Sequence, residues 1–128
     1  MPSVEQIKAT VQRYLELVDH GTAEELAELY AEDATLEDPV GSEPRTGRAA
    51  IREFYKVIEP IERSAQLVSL HAAANTAVFE FRIVTVFGDT TVELTPADIM
   101  VFDDAGKIAS MRAVWSADDM TTTRAPQK

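Results

Sequence analysis

The sequence contains no cysteine, only two histidines and no long apolar stretch. Without cysteine there is no disulfide bond, no thiolate metal ligand and no cysteine nucleophile. The apolar runs fall well short of the roughly 20 residues that a membrane-spanning helix needs, and the first residues, Met1 to Glu5, lack the basic and apolar segments of a secretion signal. We therefore expect a cytoplasmic protein that does not enter the membrane.

Basic residues are scarce as well. The 12 Lys and Arg residues are outnumbered by 22 Asp and Glu residues, which gives a formal net charge of -10 at pH 7. Such a chain repels phosphate backbones and anionic lipid, so nucleic acid and acidic membrane surfaces are not expected partners.

The motifs of several enzyme classes are missing too. His20 and His71 share no metal-ligand spacing with each other or with an acid, so we expect no metal site. Neither the glycine-rich nucleotide and phosphate motifs nor the G-x-S-x-G elbow occurs, and we expect no cofactor. The remaining chemistry belongs to carboxyls and phenols, which favours proton transfers, eliminations or hydrolyses of an uncharged substrate.

What is present is enough for one globular domain. At 128 residues, 45% hydrophobic and 27% charged, the chain can bury about two thirds of the surface that its unfolded form exposes. We expect a single domain over residues 1–120 and a mobile tail over residues 121–128, because the tail has no apolar pattern.

Helical patterns come first along the chain. Ser3 to Gln6 and Thr22 to Glu25 have the form of capping boxes, which predicts a helix ending at Gly21 and a shorter one reaching Tyr30. A short strand is expected over Ala34 to Asp38, then a loop. Ile51, Phe54, Tyr55 and Ile58 have the spacing of a third helix, which Pro60 would end.

From about Ile61 the period of the apolar residues changes to two. Four strands are predicted, over Ala65 to Ala73, Ala77 to Phe87, Thr91 to Phe102 and Lys107 to Trp115, with turns short enough for antiparallel hairpins. Helices followed by strands indicate an α+β fold, with three N-terminal helices packed on one face of a curved, mainly antiparallel sheet.

Asp98 is the most informative residue, because it lies inside the third predicted strand. Its period-2 neighbours are Leu94, Met100 and Phe102, and no Lys or Arg stands within two residues of it. A buried carboxyl without a cation keeps its proton near neutral pH and can donate a hydrogen bond. The alternative is that a bulge at Pro96 turns Asp98 outward.

Asp38 and Tyr14 are the other candidates. Asp38 lies in a polar setting before Pro39, so the chain holds two carboxyls whose surroundings push their pKa values in different directions, as acid/base chemistry requires. Tyr14 falls on the apolar stripe of the first helix, and its hydroxyl must find a partner when buried. Structural roles remain open for both residues: an Asx-type turn for Asp38 and a core tyrosine for Tyr14.

Together these residues resemble the steroid delta-isomerases, also called ketosteroid isomerases. That family belongs to the nuclear-transport-factor-like superfamily. The resemblance covers nearly the whole chain, and its most specific stretch is Glu37-Asp38-Pro39-Val40-Gly41-Ser42-Glu43-Pro44. The other matching segments are Gln12-Arg13-Tyr14, Ala31 to Gly47, Ala50-Ile51-Arg52-Glu53-Phe54-Tyr55, Pro96-Ala97-Asp98 and Met111 to Trp115.

The resemblance implies a cone-shaped α+β barrel that acts on a steroid as a homodimer without a cofactor. Asp38 would be the general base, while Tyr14 and a protonated Asp98 would donate hydrogen bonds to the 3-keto oxygen. Tyr30 and Tyr55 match positions where some members extend the hydrogen-bond chain. A neutral carboxylic acid in an apolar site is an established feature of that family, so it comes to this chain with the resemblance.

An apolar pocket is expected around these groups, because a steroid has a large hydrocarbon body and few polar atoms. The segment from Val57 to Gln66, where little of the sequence matches the family, is expected at the pocket's rim. Candidate walls, which would serve equally as core, are Val18, Phe54, Phe81, Val84, Phe87, Met100, Phe102 and Trp115.

Two other functions remain open on the same fold. One is a dehydratase, epoxide hydrolase or polyketide cyclase, although such reactions generally need further acids or histidines, and His20 and His71 are poorly placed for that. The other is a non-catalytic protein that binds lipophilic molecules.

Overall fold

The computed structural model describes residues 1–125 and consists of three α-helices and one sheet of eight strands. In chain order the elements are α1 Val4–His20, α2 Ala23–Glu28, β1 Tyr30–Glu37, β2 Arg45–Thr46, α3 Arg48–Lys56, β3 Glu62–Ala73, β4 Thr76–Phe87, β5 Thr90–Leu94, β6 Ala97–Phe102, β7 Ile108–Val114, a 3-10 turn Ala117–Asp119, and β8 Thr121–Arg124.

Both predicted capping boxes are present. At the start of α1 the Ser3 hydroxyl accepts a hydrogen bond from the Gln6 backbone N–H at 3.1 Å, while the Gln6 side chain accepts one from the Ser3 N–H at 2.8 Å. Thr22 and Glu25 form the same reciprocal pair at α2. The first helix ends before Gly21, where a Cβ would lie 2.8 Å from the Cα atom of Leu17 in the preceding turn, so only glycine permits this close approach of the backbone.

The sheet is mixed and mostly antiparallel. Its strands follow the order β2-β1-β7-β6-β4-β5-β8, with β3 along the other edge of β4. Among the strand pairs of residues 1–125, only β1 and β7 run parallel. The curved sheet does not close on itself within residues 1–125, so the barrel is an open one. Helix α1 packs on β3, and α3 packs on α2 and β1, which encloses the core between the helices and one face of the sheet.

The predicted strand from Thr91 to Phe102 is divided at Pro96 into β5 and β6. Both parts pair antiparallel with the same edge of β4, and the pairs on either side of the interruption are Ile83 with Leu94 and Glu80 with Ala97. The register is therefore unchanged, and no extra residue is inserted. Because the alternation of inward and outward residues continues through the interruption, the bulge that would have turned Asp98 outward does not form.

Three other elements differ from the sequence expectation. Tyr30, predicted at the end of the second helix, begins β1 instead, because α2 stops at Glu28. The loop before Thr46 contains the two-residue strand β2, which pairs with β1. In the predicted tail, Thr121–Arg124 forms β8 and pairs with β5, while residues 126–128 lie outside the described residues. No helix among residues 1–125 combines the length and apolarity that crossing a membrane demands.

Candidate active site

Helices α1 and α3 and the inner face of the sheet surround a cavity of about 130 Å³. The polar groups of its lining come from five separate elements of the fold: Tyr14 of α1, Asp38 after β1, Tyr55 of α3, Asp98 of β6 and Trp115 after β7. The three residues that sequence reasoning singled out as catalytic are therefore brought together in one place.

Three buried tyrosines form a chain of hydroxyls. The Tyr55 hydroxyl lies 3.2 Å from that of Tyr14 and 2.6 Å from that of Tyr30, so it joins the other two. Tyr30 begins β1 with its side chain facing inward. Its backbone carbonyl accepts hydrogen bonds from the Arg48 guanidinium at 2.6 and 3.1 Å. The inner end of the chain is thus fixed by main-chain and side-chain contacts.

The surroundings of the chain keep all three hydroxyls protonated. Burial is the first cause that raises the pKa of Tyr14, Tyr30 and Tyr55 well above the ordinary value for a phenol. The ring of Tyr14 is also held by edge-to-face contacts with Phe79 and Phe81, at centroid distances of 6.0 and 6.4 Å. Tyr14 is therefore a rigid, neutral hydrogen-bond donor on the wall of the cavity.

Asp98 lies deep in the same wall. Its side chain faces inward between Phe79 of β4 and Ala113 of β7, and the residue is 1% exposed. Within residues 1–125 its Oδ1 atom has no hydrogen-bond partner, and no cation contacts it. Burial, followed by repulsion from Asp38, raises the pKa of Asp98 well above its ordinary value, which favours the protonated form that can donate a hydrogen bond.

Asp38 occupies a different setting at the end of β1. The residue is partly exposed, and the Trp115 indole donates a hydrogen bond to its Oδ1 atom at 2.7 Å. Burial raises the pKa of Asp38, whereas the indole hydrogen bond and the positive charge of Arg45 lower it. Burial is the largest of these effects, so the pKa of Asp38 is raised from its ordinary value although the two neighbours oppose the rise.

The indole contact with Asp38 was not anticipated from the sequence. Trp115 was predicted only as a residue of the pocket lining, and it lies 77 positions from Asp38 in the chain. The parallel pairing of β1 with β7 brings their ends together, with Glu37 opposite Arg112. A parallel pair between distant strands leaves no local signature, so no pattern in the sequence could have indicated this contact.

The apolar lining matches the expected walls in part. Val18, Phe54 and Phe81 line the cavity, as Trp115 does, together with four residues that the sequence analysis did not assign to the pocket: Ile58, Ile83, Leu94 and Pro96. Two of these carried a usable signal, because Ile83 follows Phe81 at period two and Leu94 precedes Asp98 on the same face. Ile58 lies in the segment that was expected at the rim.

The other four candidate walls lie outside this cavity. Val84 has the opposite orientation to its neighbour Ile83 in β4, and Phe87 is 49% exposed at the end of the strand. Met100 and Phe102 share the inward face of Asp98, but they are buried in the core farther along β6. The alternation along a strand predicted that Met100 and Phe102 point inward, but it does not indicate how far along the strand the cavity extends.

Larger hollows occur on the surface without comparable chemistry. One of about 460 Å³ lies between the chain start and the turn before β7, where Asp104 is exposed to solvent. Among the described residues, no group of three or more His, Asp or Glu side chains is arranged to hold a metal ion. The cavity with the two carboxyls is the place where buried titratable groups and apolar lining coincide.

Known proteins resemble this chain over most of its length. The family model described as SnoaL-like domain matches residues 11–111. A protein named Steroid Delta-isomerase from Nocardioides simplex is 47% identical over 120 residues, which cover 94% of this chain and 98% of that protein. The solved structure of SalBIII, an epoxide hydrolase/cyclase-like enzyme described for pyran ring formation in polyether salinomycin, is 28% identical, with a TM-score of 0.87 over 94% of this chain and 98% of its own.

Proposed function

The chain belongs to the family of SnoaL-like domains and is an enzyme, and on that premise we propose that it is a steroid delta-isomerase. The reaction moves the double bond of a 3-oxosteroid from the 5,6 to the 4,5 position, where it is conjugated with the carbonyl. The observation that carries the proposal is the convergence of Tyr14, Asp38 and Asp98 on one mostly apolar cavity.

Asp38 is the proton carrier in this proposal. Its carboxylate removes a proton from the carbon between the carbonyl and the double bond. The electron pair of the broken C–H bond forms a double bond to the carbonyl carbon, and the π electrons of the carbonyl move onto the oxygen to give a dienolate. The same carboxyl then returns the proton two carbons farther along the conjugated system. A positioned base of this kind typically contributes about 10²–10⁴ in rate.

Tyr14 and Asp98 stabilise the charge that develops on the oxygen. Both are neutral donors because burial raises their pKa values, so each can direct an O–H at the 3-keto oxygen. Donors fixed before the reaction begins need no reorganisation, and each is typically responsible for about 10²–10³ in rate. The Tyr55 and Tyr30 hydroxyls support Tyr14 from behind.

The shape of the cavity suits one end of a steroid. Its volume of about 130 Å³ is smaller than the roughly 300–1,000 Å³ of pockets that enclose a whole drug-sized ligand. The reacting ring would therefore enter the hollow, and the remaining rings would extend over its apolar rim at Phe54, Ile58 and Leu94. The proposed reaction uses only side-chain groups of the chain, so we expect it to proceed without a cofactor.

A direct assay tests the proposal. Mixing the protein with a 5-ene-3-oxosteroid should produce the ultraviolet absorbance of the conjugated enone, and no rise above the buffer rate would overturn the assignment. Asp38→Asn is the matched control, since it removes the base and keeps the size of the side chain. A protein that merely binds lipophilic molecules would bind the steroid equally well in both forms and turn over neither.

A second reaction class is favoured by the resemblance to the epoxide hydrolase/cyclase-like enzyme. The pair of carboxyls, Asp38 near solvent and protonated Asp98 inside, is also an arrangement that can activate a nucleophile and protonate an epoxide oxygen. The higher identity to the protein named as an isomerase favours the isomerase proposal. Product analysis with an epoxide-containing polyketide and with the oxosteroid would separate the two.

We also propose that the enzyme is a homodimer built on the outer face of the sheet. Val78 of β4 and Val114 of β7 are 41% and 48% exposed there, on either side of β6. Val78→Lys should shift the mass measured by sedimentation equilibrium toward that of one chain, because it places a charge in an apolar contact. A single-chain mass for the wild-type protein at micromolar concentration would contradict the dimer.

A further inference from the structure

Arg45 lies close to Asp38 because of the way β2 pairs with β1. Arg45 stands directly opposite Leu36, and Asp38 follows two residues after Leu36. Residues that face one another across two strands share a side of the sheet, and the diagonal neighbour two positions on is typically about 7–8 Å away. Asp38 lies one residue beyond the end of β1, so this pairing places Arg45 and Asp38 at the same end of the strand pair.

The guanidinium of Arg45 is held at the mouth of the cavity by an aromatic ring. Its central carbon lies 4.9 Å from the ring centroid of Phe54, a residue of the cavity lining. Within residues 1–125 Arg45 forms no ion pair with a carboxylate. A cation stacked on a ring face is attracted by the electrons of the ring, so the contact fixes the side chain without neutralising its charge.

From this geometry we propose that Arg45 is a positioning residue for the base: stacked on Phe54, it keeps a positive charge beside the Asp38 carboxylate and holds it ionised for proton transfer. The inference rests on the proposed function, because it assigns Asp38 the role of base. A guanidinium suits the task, since it keeps its charge across the working pH range and its flat face stacks on an aromatic ring.

The other groups around Asp38 do not supply a competing positive charge. Asp98 and the phenols of Tyr14 and Tyr55, which face it across the cavity, are neutral when protonated. The Trp115 indole donates a hydrogen bond but carries no charge.

The charged groups outside the cavity are paired or exposed. Arg112 of β7 donates to the Glu37 carboxylate at 2.9 Å, so its charge is largely compensated. Glu43, in the loop before β2, is exposed to solvent. Arg45 is exposed as well, but it is stacked on Phe54 and has no ion-pair partner within residues 1–125, and it lowers the pKa of Asp38.

The test is the pH profile of kcat/KM for isomerisation in Arg45→Gln. Loss of the cation should move the acid limb to higher pH and reduce kcat/KM below that limb by about two- to fivefold, the range expected for an exposed charge pair. On the alkaline plateau, where Asp38 is ionised in both proteins, the rate should be unchanged. Arg45→Lys should restore part of the shift, and high salt should shrink the difference.

Arg82→Gln is the matched control, because it removes one exposed positive charge from the outer side of β4 and should leave the acid limb in place. An unchanged limb in Arg45→Gln, or an equal loss at every pH, would overturn the proposal. If the wild-type protein showed no isomerase activity, the proposed function would fail, whereas the Arg45 inference would still be decided by carboxyl-carbon NMR. In that measurement the Asp38 titration should move to higher pH in Arg45→Gln, and an unmoved midpoint would reject the inference.

Discussion

The surroundings of Asp98 and Asp38 differ although both carboxyls open on the same cavity. Asp98 is buried in the protein: the residue is 1% exposed, and one of its oxygens has no hydrogen-bond partner among the described residues. Asp38 is partly exposed, accepts a hydrogen bond from the Trp115 indole and interacts with the positive charge of Arg45. Burial raises the pKa of both groups, but only at Asp38 do neighbours oppose it.

The difference shows how one side-chain type acquires two roles in a single hollow. The inner region, around Asp98, favours a neutral acid because Asp98 is buried and no cation contacts it within residues 1–125, and in the proposed reaction this acid is a donor for negative charge on the substrate. The outer region, around Asp38, offers a hydrogen-bond donor and a positive charge, which favour the ionised form that the proposed base requires. In the proposed reaction, separating the two regions by depth lets one carboxyl accept a proton while the other retains its own.

The largest effect on activity is expected from a substitution of Asp38, in the outer region. Asp38→Asn should reduce kcat by about 10²–10⁴, because an amide cannot accept the proton. Binding of a phenolic steroid, which imitates the dienolate, should persist because the inner donors are intact. Stopped-flow absorbance and calorimetric titration measure the two quantities, and turnover close to that of the wild-type protein would remove Asp38 from its proposed role.

The next effect concerns the inner region. Asp98→Ala should reduce kcat by about 10²–10³, the usual loss for one oxyanion donor. Asp98→Asn should retain part of the activity, because an amide N–H still donates a hydrogen bond. Comparing the two variants in the same absorbance assay sharpens the contrast with Asp38, where the amide is predicted to be inactive. Equal and complete loss in both would indicate an ionised structural role for Asp98.

A smaller effect is expected from the tyrosine chain, which supports the inner region only. Tyr55→Phe should lower kcat by about two- to tenfold, the equivalent of one ordinary hydrogen bond. It should also lower the free energy of unfolding by about 1–3 kcal/mol, because the Tyr30 hydroxyl loses the partner at 2.6 Å and stays buried. Urea unfolding measures the second quantity.

The acid limb of the pH profile provides a control for that prediction. The acid limb should stay in place in Tyr55→Phe, since the chain of tyrosine hydroxyls does not contact Asp38. A displaced limb would mean that the two regions are not separate.

The smallest effect appears in stability against pH. Unfolded Asp98 ionises near pH 4, while folded Asp98 keeps its proton to higher pH because burial raises its pKa. Between those points the native state binds more protons, so this residue makes the protein less stable as pH rises. The stability of Asp98→Asn relative to the wild-type protein should therefore increase from about pH 4 through neutrality.

Urea unfolding of both proteins at several pH values measures that difference. Carboxyls with lowered pKa values, such as Asp19 and Glu37, act in the opposite direction but cancel between the two proteins. A constant difference would mean that Asp98 ionises in the folded protein as it does in the unfolded one.

Local patterns in the sequence predicted the features of the fold and site that depend on neighbouring residues alone. Capping boxes gave the starts of α1 and α2, and period-2 alternation gave the inward facing of Asp98. The pairing of Tyr30 with Tyr55 was available only as a family resemblance. The contact of Trp115 with Asp38 was not available at all, because it depends on which distant strands lie side by side.

Pro96 shows the limit of a residue-level rule. Proline inside a strand favours an edge or a bulge, and the sequence alone does not choose between them. In the fold, β4 pairs with the segments on both sides of Pro96 in one register, and this pairing keeps Asp98 inward. The choice is made by a partner strand that the local sequence does not contain.

The indole contact with the base has a practical consequence. Trp115 is the single tryptophan of the chain, and its N–H is bonded to Asp38. The intrinsic fluorescence of the protein therefore originates beside the Asp38 carboxyl. Protonation of this carboxyl or the arrival of a ligand beside it should alter the emission directly, so the unlabelled enzyme contains its own optical probe of the proposed proton transfer.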